Sequence, residues 1–182
     1  MPRTRAPDYK VTADGLLEIG LVTRPHGIVG EVRVQVPPEY VTALLSVRRV
    51  YLALSGQDSL RPFKVEARRP HQDVVLYKLE GIATRNDAEA LRGAMLLVRV
   101  KDLPTLAPGR YYPHELIGVR VVTTDGAPLG EIYEVLATGA NDVYVVRQAP
   151  DAKEMLLPAI EGVVQSVDLH NRVVTVTVPQ GL

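Results

Sequence analysis

Four histidines, at positions 26, 71, 114 and 170, are the side chains here whose ordinary pKa places proton transfer near neutral pH, so acid–base chemistry would centre on them. They stand far apart, and no two have the spacing of a metal-ligand pair. His114 and Glu115 look like an acid–base couple, but the stretch around them reads as extended, and neighbours on a strand face opposite sides. No Ser or Thr sits on a sharp strand-to-helix elbow. His170 falls in a turn. The chain has no cysteine, which removes disulfides, thiolate zinc sites and Cys nucleophiles, and suits a reducing compartment. The reading is a protein that is not an enzyme, with no metal, no cofactor and no small-molecule substrate.

The stretch Gly20-Leu-Val-Thr-Arg-Pro-His-Gly-Ile-Val-Gly-Glu-Val-Arg-Val34 gathers three glycines and a proline before an alternating run. A phosphate-binding glycine loop opens onto a helix N-terminus; this one opens onto a strand, with Val32, Val34 and Val36 on one face and Glu31, Arg33 and Gln35 on the other. Gly20, Gly27 and Gly30 are expected to serve tight crossings or positive dihedral angles, and Pro25 to stiffen the turn. Arg24 and His26 are expected at the loop tip. Either they touch RNA phosphates or base edges there, or the whole loop is structural.

Residues 1 to 100 carry 15 Lys/Arg against 11 Asp/Glu, a net +4, whereas residues 101 to 182 carry 6 against 10, a net −4. The first half could therefore face RNA and the second a basic protein, although small domains often differ by a few charges. Basic residues of the first half come in groups, Arg48-Arg49, Arg61 with Lys64, and Arg68-Arg69 before His71. Strand neighbours alternate faces, so one of each pair joins any single patch. Arg49 and Arg69 are the candidates; a solvated strand face is the competing reading. Tyr111 and Tyr112 are the strongest candidates for protein contact, because Pro113 holds Tyr112 extended and sends the rings to opposite sides. Either one ring anchors the chain while the other meets a partner, or both pin the linker.

These residues need a scaffold. Strands are readable at 17–22, 31–36, 47–54, 63–68, 74–79 and 95–100, with one short helix over 86–92 that Thr84 caps and Gly93 ends. Residues 101–110, with Pro104, Pro108 and Gly109, read as a linker. Further strands follow at 118–123, 129–137, 143–148, 155–157, 163–168 and 173–178, with turns at Asp125-Gly126 and Leu169-His170-Asn171. The expected organisation is a mobile tail at 1–14, a β-barrel at 15–100, the linker at 101–110, and a second β-barrel at 111–182. The fold class is mainly all-β: two small barrels, one short helix in the first, and a proline-containing linker. No apolar run spans a membrane and no secretory signal is visible, so a cytoplasmic protein with no membrane partner is expected.

The 20–34 segment resembles the opening signature of the RimM family of ribosome maturation factors. Tyr111-Tyr112-Pro-His-Glu-Leu-Ile-Gly-Val119, Thr138-Gly-Ala-Asn-Asp-Val-Tyr-Val-Val146 and Leu157-Pro-Ala-Ile-Glu-Gly-Val-Val164 look like that family's C-terminal PRC-barrel. Within the second of these, Gly139, Asn141 and Asp142 are expected to shape a loop. The resemblance, from about Leu16 to the C-terminus, implies a non-enzymatic assembly factor for the small (30S) ribosomal subunit. It would bind a head ribosomal protein, number nineteen of that subunit, and the pre-30S particle, assisting head maturation and 16S rRNA processing. It also implies that the tyrosine pair binds the small subunit. The alternative is a stand-alone RNA-binding module whose N-terminal barrel carries the affinity.

Overall fold

The computed structural model describes residues 9–54, 56, 59–72, 74–138, 140–149 and 152–179. They form two compact units, Tyr9–Thr105 and the chain from Leu106 onward. The division falls within the stretch read as a linker. There, a 3-10 turn at Val100–Asp102 is followed by buried Leu103.

The first unit is a closed six-stranded barrel of β1 (Leu16–His26), β2 (Glu31–Gln35), β3 (Arg49–Ala53), β4 (Leu60–His71), β5 (Val74–Leu79) and β6 (Met95–Arg99), ordered β1-β2-β5-β4-β3-β6. Alternation in β2 sends Val32 and Val34 into the core with Leu17, Val50, Leu52, Val75, Tyr77 and Val98. Closure leaves no unpaired sheet edge. Burial pushes the Tyr77 phenol pKa strongly up, and its hydroxyl donates to the Leu44 carbonyl at 3.4 Å.

Two features of this unit differ from the sequence reading. β1 runs unbroken through Gly20 and Pro25, so neither lies in a loop. Gly20 sits where strands cross closely: a Cβ there would lie 2.9 Å from Val34 Cγ1 and 3.2 Å from the Gln35 carbonyl oxygen. Pro25 is buried opposite Val32 and does not stiffen a turn. Residues 9–14, expected to be mobile, are held on the barrel. Tyr9 donates to Glu39, its ring lies 5.4 Å from that of Tyr40, and Val11 bridges Leu17.

Two helical pieces accompany the barrel. A 3-10 turn (Pro38–Tyr40) leads into α1 (Val41–Leu44), burying Tyr40 and Leu44, a segment the sequence reading passed over. α2 (Arg85–Glu89) is the expected helix, starting one residue earlier and ending three residues earlier than read. Thr84 and Asp87 form a reciprocal capping box, and α2 packs on β1 and β2.

The second unit is a six-stranded sheet of β7 (Arg120–Thr123), β8 (Pro128–Ala137), β9 (Asp142–Arg147), β10 (Met155–Pro158), β11 (Val164–Asp168) and β12 (Val173–Val176). Its order is β10-β9-β8-β7-β12-β11, with β12 parallel to β7 and every other pair antiparallel. A single core of Leu116, Val119, Val121, Ile132, Tyr144, Val146, Leu157, Val174 and Val176 holds it. The expected turns are present: Gly126 has φ +88° between β7 and β8, and Arg172 has φ +53° after the turn between β11 and β12. α3 (Pro113–Leu116) is a single turn where extended chain was read, so His114 and Glu115 are helical neighbours.

Candidate functional site

The β1–β2 connection is the first surface that the fold builds for contact. Gly27 (φ +64°) and Gly30 (φ +78°) turn the chain, and Gly30 approaches the 82–83 backbone so closely that a Cβ would stand 2.3 Å from the Ile82 carbonyl oxygen. Only glycine fits there. Lys78 donates to the Val29 and Ile82 carbonyls, and Arg85 donates to the Gly27 carbonyl at 3.2 Å, so three neighbouring segments fix the turn. The result is an immobilised apolar tip, with Ile28 80% and Val29 56% exposed. Sequence reasoning missed this pair. Two apolar residues between two turn glycines were the available signal, because a turn tip cannot bury them.

Arg24 and His26 lie in β1 just before the turn and not at its tip. Arg24 is exposed and stands directly opposite Arg33 of β2, a like-charge pair that costs folding stability. His26 is half-buried, and its ring lies 5.3 Å from that of His71, two histidines that sequence distance alone kept apart. Arg69 comes to the same end of the barrel but forms an ion pair with Glu31, 2.9 Å from Nη2 to Oε2. Half-exposed pairs of this kind contribute about 0–1 kcal/mol. Arg69 is thus less available to a partner than Arg24.

Arg49 belongs to a different surface. It stands on β3 opposite Lys64 of β4, five residues before Arg69, roughly 16 Å at the rise of a strand. It lines a cleft of about 570 Å³ with Ser46, Arg48, Tyr51, Lys64, Arg99, Lys101 and Asp102. Of these, Arg99 and Lys101 had not been singled out from the sequence.

In the second unit, the tyrosine pair divides unequally. Tyr112 caps α3 and is only 7% exposed; its backbone N–H donates to Glu115 Oε2 at 2.7 Å, and its ring stacks on His114 at 5.6 Å. Burial raises the Tyr112 pKa, and the Glu115 carboxylate adds to the shift. Burial also holds the His114 pKa below its usual value, against the opposing pull of Glu115. Tyr111 packs on the core but stays partly open, beside Tyr144, whose pKa burial pushes up to about 12. Asn141 and Asp142 shape the β8–β9 connection: Thr138 Oγ1 donates to the Asn141 carbonyl, and Ala159 N–H donates to the Asp142 carbonyl at 2.8 Å. Gly139 lies outside the described residues.

Among the described residues, no group of three or more His, Cys, Asp or Glu could hold a metal ion. No helix among them is long and apolar enough to cross a membrane. Two compact β units define a two-module protein of mainly β structure.

Comparison with known proteins makes the assignment specific. Residues 17–103 match the sequence model of the RimM N-terminal domain, and residues 113–182 that of the RimM PRC barrel domain. The ribosome maturation factor RimM of Limosilactobacillus reuteri is 40% identical over 165 residues, covering 90% of this chain and 96% of that protein. Those of Halalkalibacterium halodurans and Bacillus anthracis are 36% and 37% identical, covering 91% and 90% of this chain and 96% of each relative. A crystal structure of a 16S ribosomal RNA processing protein RimM from Pseudomonas aeruginosa is 33% identical, covering 90% of this chain and 98% of that chain, with a TM-score of 0.46. The chain belongs to the RimM family of ribosome maturation factors.

Proposed function

We propose that this chain is a non-enzymatic assembly factor that binds the immature small ribosomal subunit, contacting the head ribosomal protein numbered nineteen and nearby 16S rRNA. The observation that carries the reading is family membership across both units, with relatives named ribosome maturation factor aligned over nine-tenths of the chain. The surfaces fit the role. The fixed Ile28–Val29 tip with Arg24 and His26 beside it suits contact with a structured ribonucleoprotein, and Tyr111 supplies a part-open ring on a rigid unit. The second unit's excess of acids complements a basic ribosomal protein and speeds encounter.

The mechanism needs no bond made or broken. A factor that binds the correctly folded head precursor better than misfolded forms shifts the population toward it by its difference in affinity. It leaves when maturation buries the surface it recognised. Affinity capture from lysate of the full chain beside its Tyr111→Ala/Tyr112→Ala variant tests this. Wild type is expected to retain small-subunit precursor rRNA and the head protein, and the variant to lose both. Equal recovery by the two would refute the role of the tyrosines, and no ribosomal material on wild type would refute the function.

The reading as a stand-alone RNA-binding module draws on one observation, the cluster of Arg48, Arg49, Lys64, Arg99 and Lys101 around one cleft of the first unit. It requires the tyrosine variant to bind precursor particles as tightly as wild type.

A further inference from the structure

The outer face of β4-β3-β6 carries three cations side by side. Arg49 is directly opposite Lys64 on one neighbouring strand, and the register that pairs Tyr51 with Leu97 sets Arg99 level with Arg49 on the other. Adjacent strands lie about 4.8 Å apart, so the row spans roughly 10 Å. Arg48 and Lys101 extend it around the same cleft. Like charges opposite each other weaken a sheet, and this row stacks two such juxtapositions.

Little among the described residues neutralises it. Among the described residues, Arg48, Arg49, Arg99 and Lys101 are in no ion pair. Lys64 meets Glu80 at 3.8 Å, with both side chains more than half exposed, a distance and setting where screening is strong. Asp102 is the single acid in the lining.

Arg99 is also oriented. Its Nε donates to the Tyr51 hydroxyl at 2.8 Å, and its guanidinium lies 5.6 Å from the Tyr51 ring centroid. That anchoring leaves the two terminal amino groups as a donor fork suited to phosphate oxygens. A single small anion would need cations converging on one point; here they form an open row, which fits successive phosphates along a chain.

We propose that this row, Lys64, Arg49 and Arg99 with Arg48 and Lys101 flanking, is a binding site for the sugar–phosphate backbone of RNA. It shares no residue with the Ile28–Val29 tip or with the tyrosine pair. Assigning the strand to ribosomal RNA rests on the proposed function; the phosphate-binding site itself does not. The groove reads charge and spacing, so it positions the factor on RNA without selecting sequence.

The test measures binding of the full chain to a fluorescently labelled 16S rRNA transcript across a KCl series, comparing wild type with Arg49→Glu/Arg99→Glu. Arg92→Glu/Arg120→Glu, at two positions that do not line the cleft, supplies the same change of net charge. The groove variant is expected to bind about tenfold or more weaker at low salt, with a shallower dependence of log affinity on log salt, by roughly 0.7 per lost phosphate contact. The control should lose much less. Arg49→Gln should melt at the same or a higher temperature, because it relieves a like-charge pair; a lower melting temperature would mean that Arg49 is there for the fold and would overturn the proposal. Groove and control variants losing equally would overturn it too. So would poly-glutamate displacing wild type as well as unlabelled transcript does, since the groove would then serve an acidic peptide. Sedimentation with precursor particles separates this from the proposed function. If both variants travel with particles as wild type does, at every salt concentration, the groove assignment fails and the function stands. If wild type does not travel with particles while the groove variant still loses transcript affinity, the groove stands and the function fails.

Discussion

The two units solve the same problem, a small β core, but spend their cations differently. In the first, Arg24 faces Arg33 and Arg49 faces Lys64, so charge is left on the surface at some cost in stability. In the second, Arg147 is bound to Glu154 and stacked 3.6 Å over the Tyr133 ring, and Arg172 donates to the Ile117 carbonyl at 2.8 Å. Those arginines hold the unit together. The first is closed and has no edges; the second ends in β10 and β11, four and five residues long, short enough to limit strand addition by other chains. The difference teaches that net charge along the chain is a coarse guide, because in the first unit too Arg69, Lys78 and Arg85 are engaged by the fold, and it is pairing and not count that decides which cations stay available.

Each unit depends on one glycine in a matching way, and exchanging both gives the largest effects. A Cβ at Gly30 would meet the Ile82 carbonyl oxygen at 2.3 Å, and one at Gly130 (φ +130°) would meet that of Arg147 at 2.2 Å. Gly30→Ala and Gly130→Ala should each destabilise the unit that holds it by roughly 2–4 kcal/mol. Urea unfolding followed by hydrogen exchange in each unit is the check. A loss of protection that spreads equally through both units would break the comparison.

Next in size is the tyrosine pair. Tyr111→Ala/Tyr112→Ala should weaken binding to small-subunit precursors by about 2 kcal/mol or more. Because Tyr112 is buried, Tyr111→Ala alone is the sharper probe: weaker binding at a temperature where the variant is fully folded marks the part-open ring as the contact. Arg24→Glu comes third. It converts a like-charge pair with Arg33 into an opposite one, so the fold should not suffer, while RNA-linked affinity should fall by about 1 kcal/mol at low salt and less at high salt. A salt-independent loss would point to turn geometry instead.

The smallest effect is a pH dependence. His114 has a folded-state pKa below its unfolded value of 6.5, so its contribution is complete above pH 6.5. As pH falls from there toward the folded pKa, the unfolded chain takes up a proton that the folded unit resists, and stability drops. Melting of the second unit should therefore soften over that window in wild type and be flatter in His114→Gln. Identical profiles would remove His114 as the cause.

Much of the scaffold was legible. The alternating valines of β2 and the 74–79 run gave two strands at nearly their observed bounds, and Thr84 marked the start of α2. β1 was read to end at Val22 because Pro25 is a local strand breaker; a buried pairing with Val32 overrides that preference, and that is a tertiary fact. The α3 stretch was taken as extended because four residues are too few to show a period. The site was legible residue by residue but not as an arrangement. Alternation says which face Arg49 occupies, but not that β6, more than 40 residues later, lies beside β3 and brings Arg99 level with it. The same ignorance of strand neighbours hid the ion pair that occupies Arg69 and the approach of His71 to His26.

The central claim is that fixed surfaces on two folded modules recognise the immature small subunit. Sedimentation of the full chain with precursor small subunits, mature small subunits and mature large subunits, over a range of salt, addresses it most directly. The account predicts co-migration with the precursor, weakening as salt rises, and little with either mature particle. Equal association with all three, or none with the precursor at low salt, would contradict it.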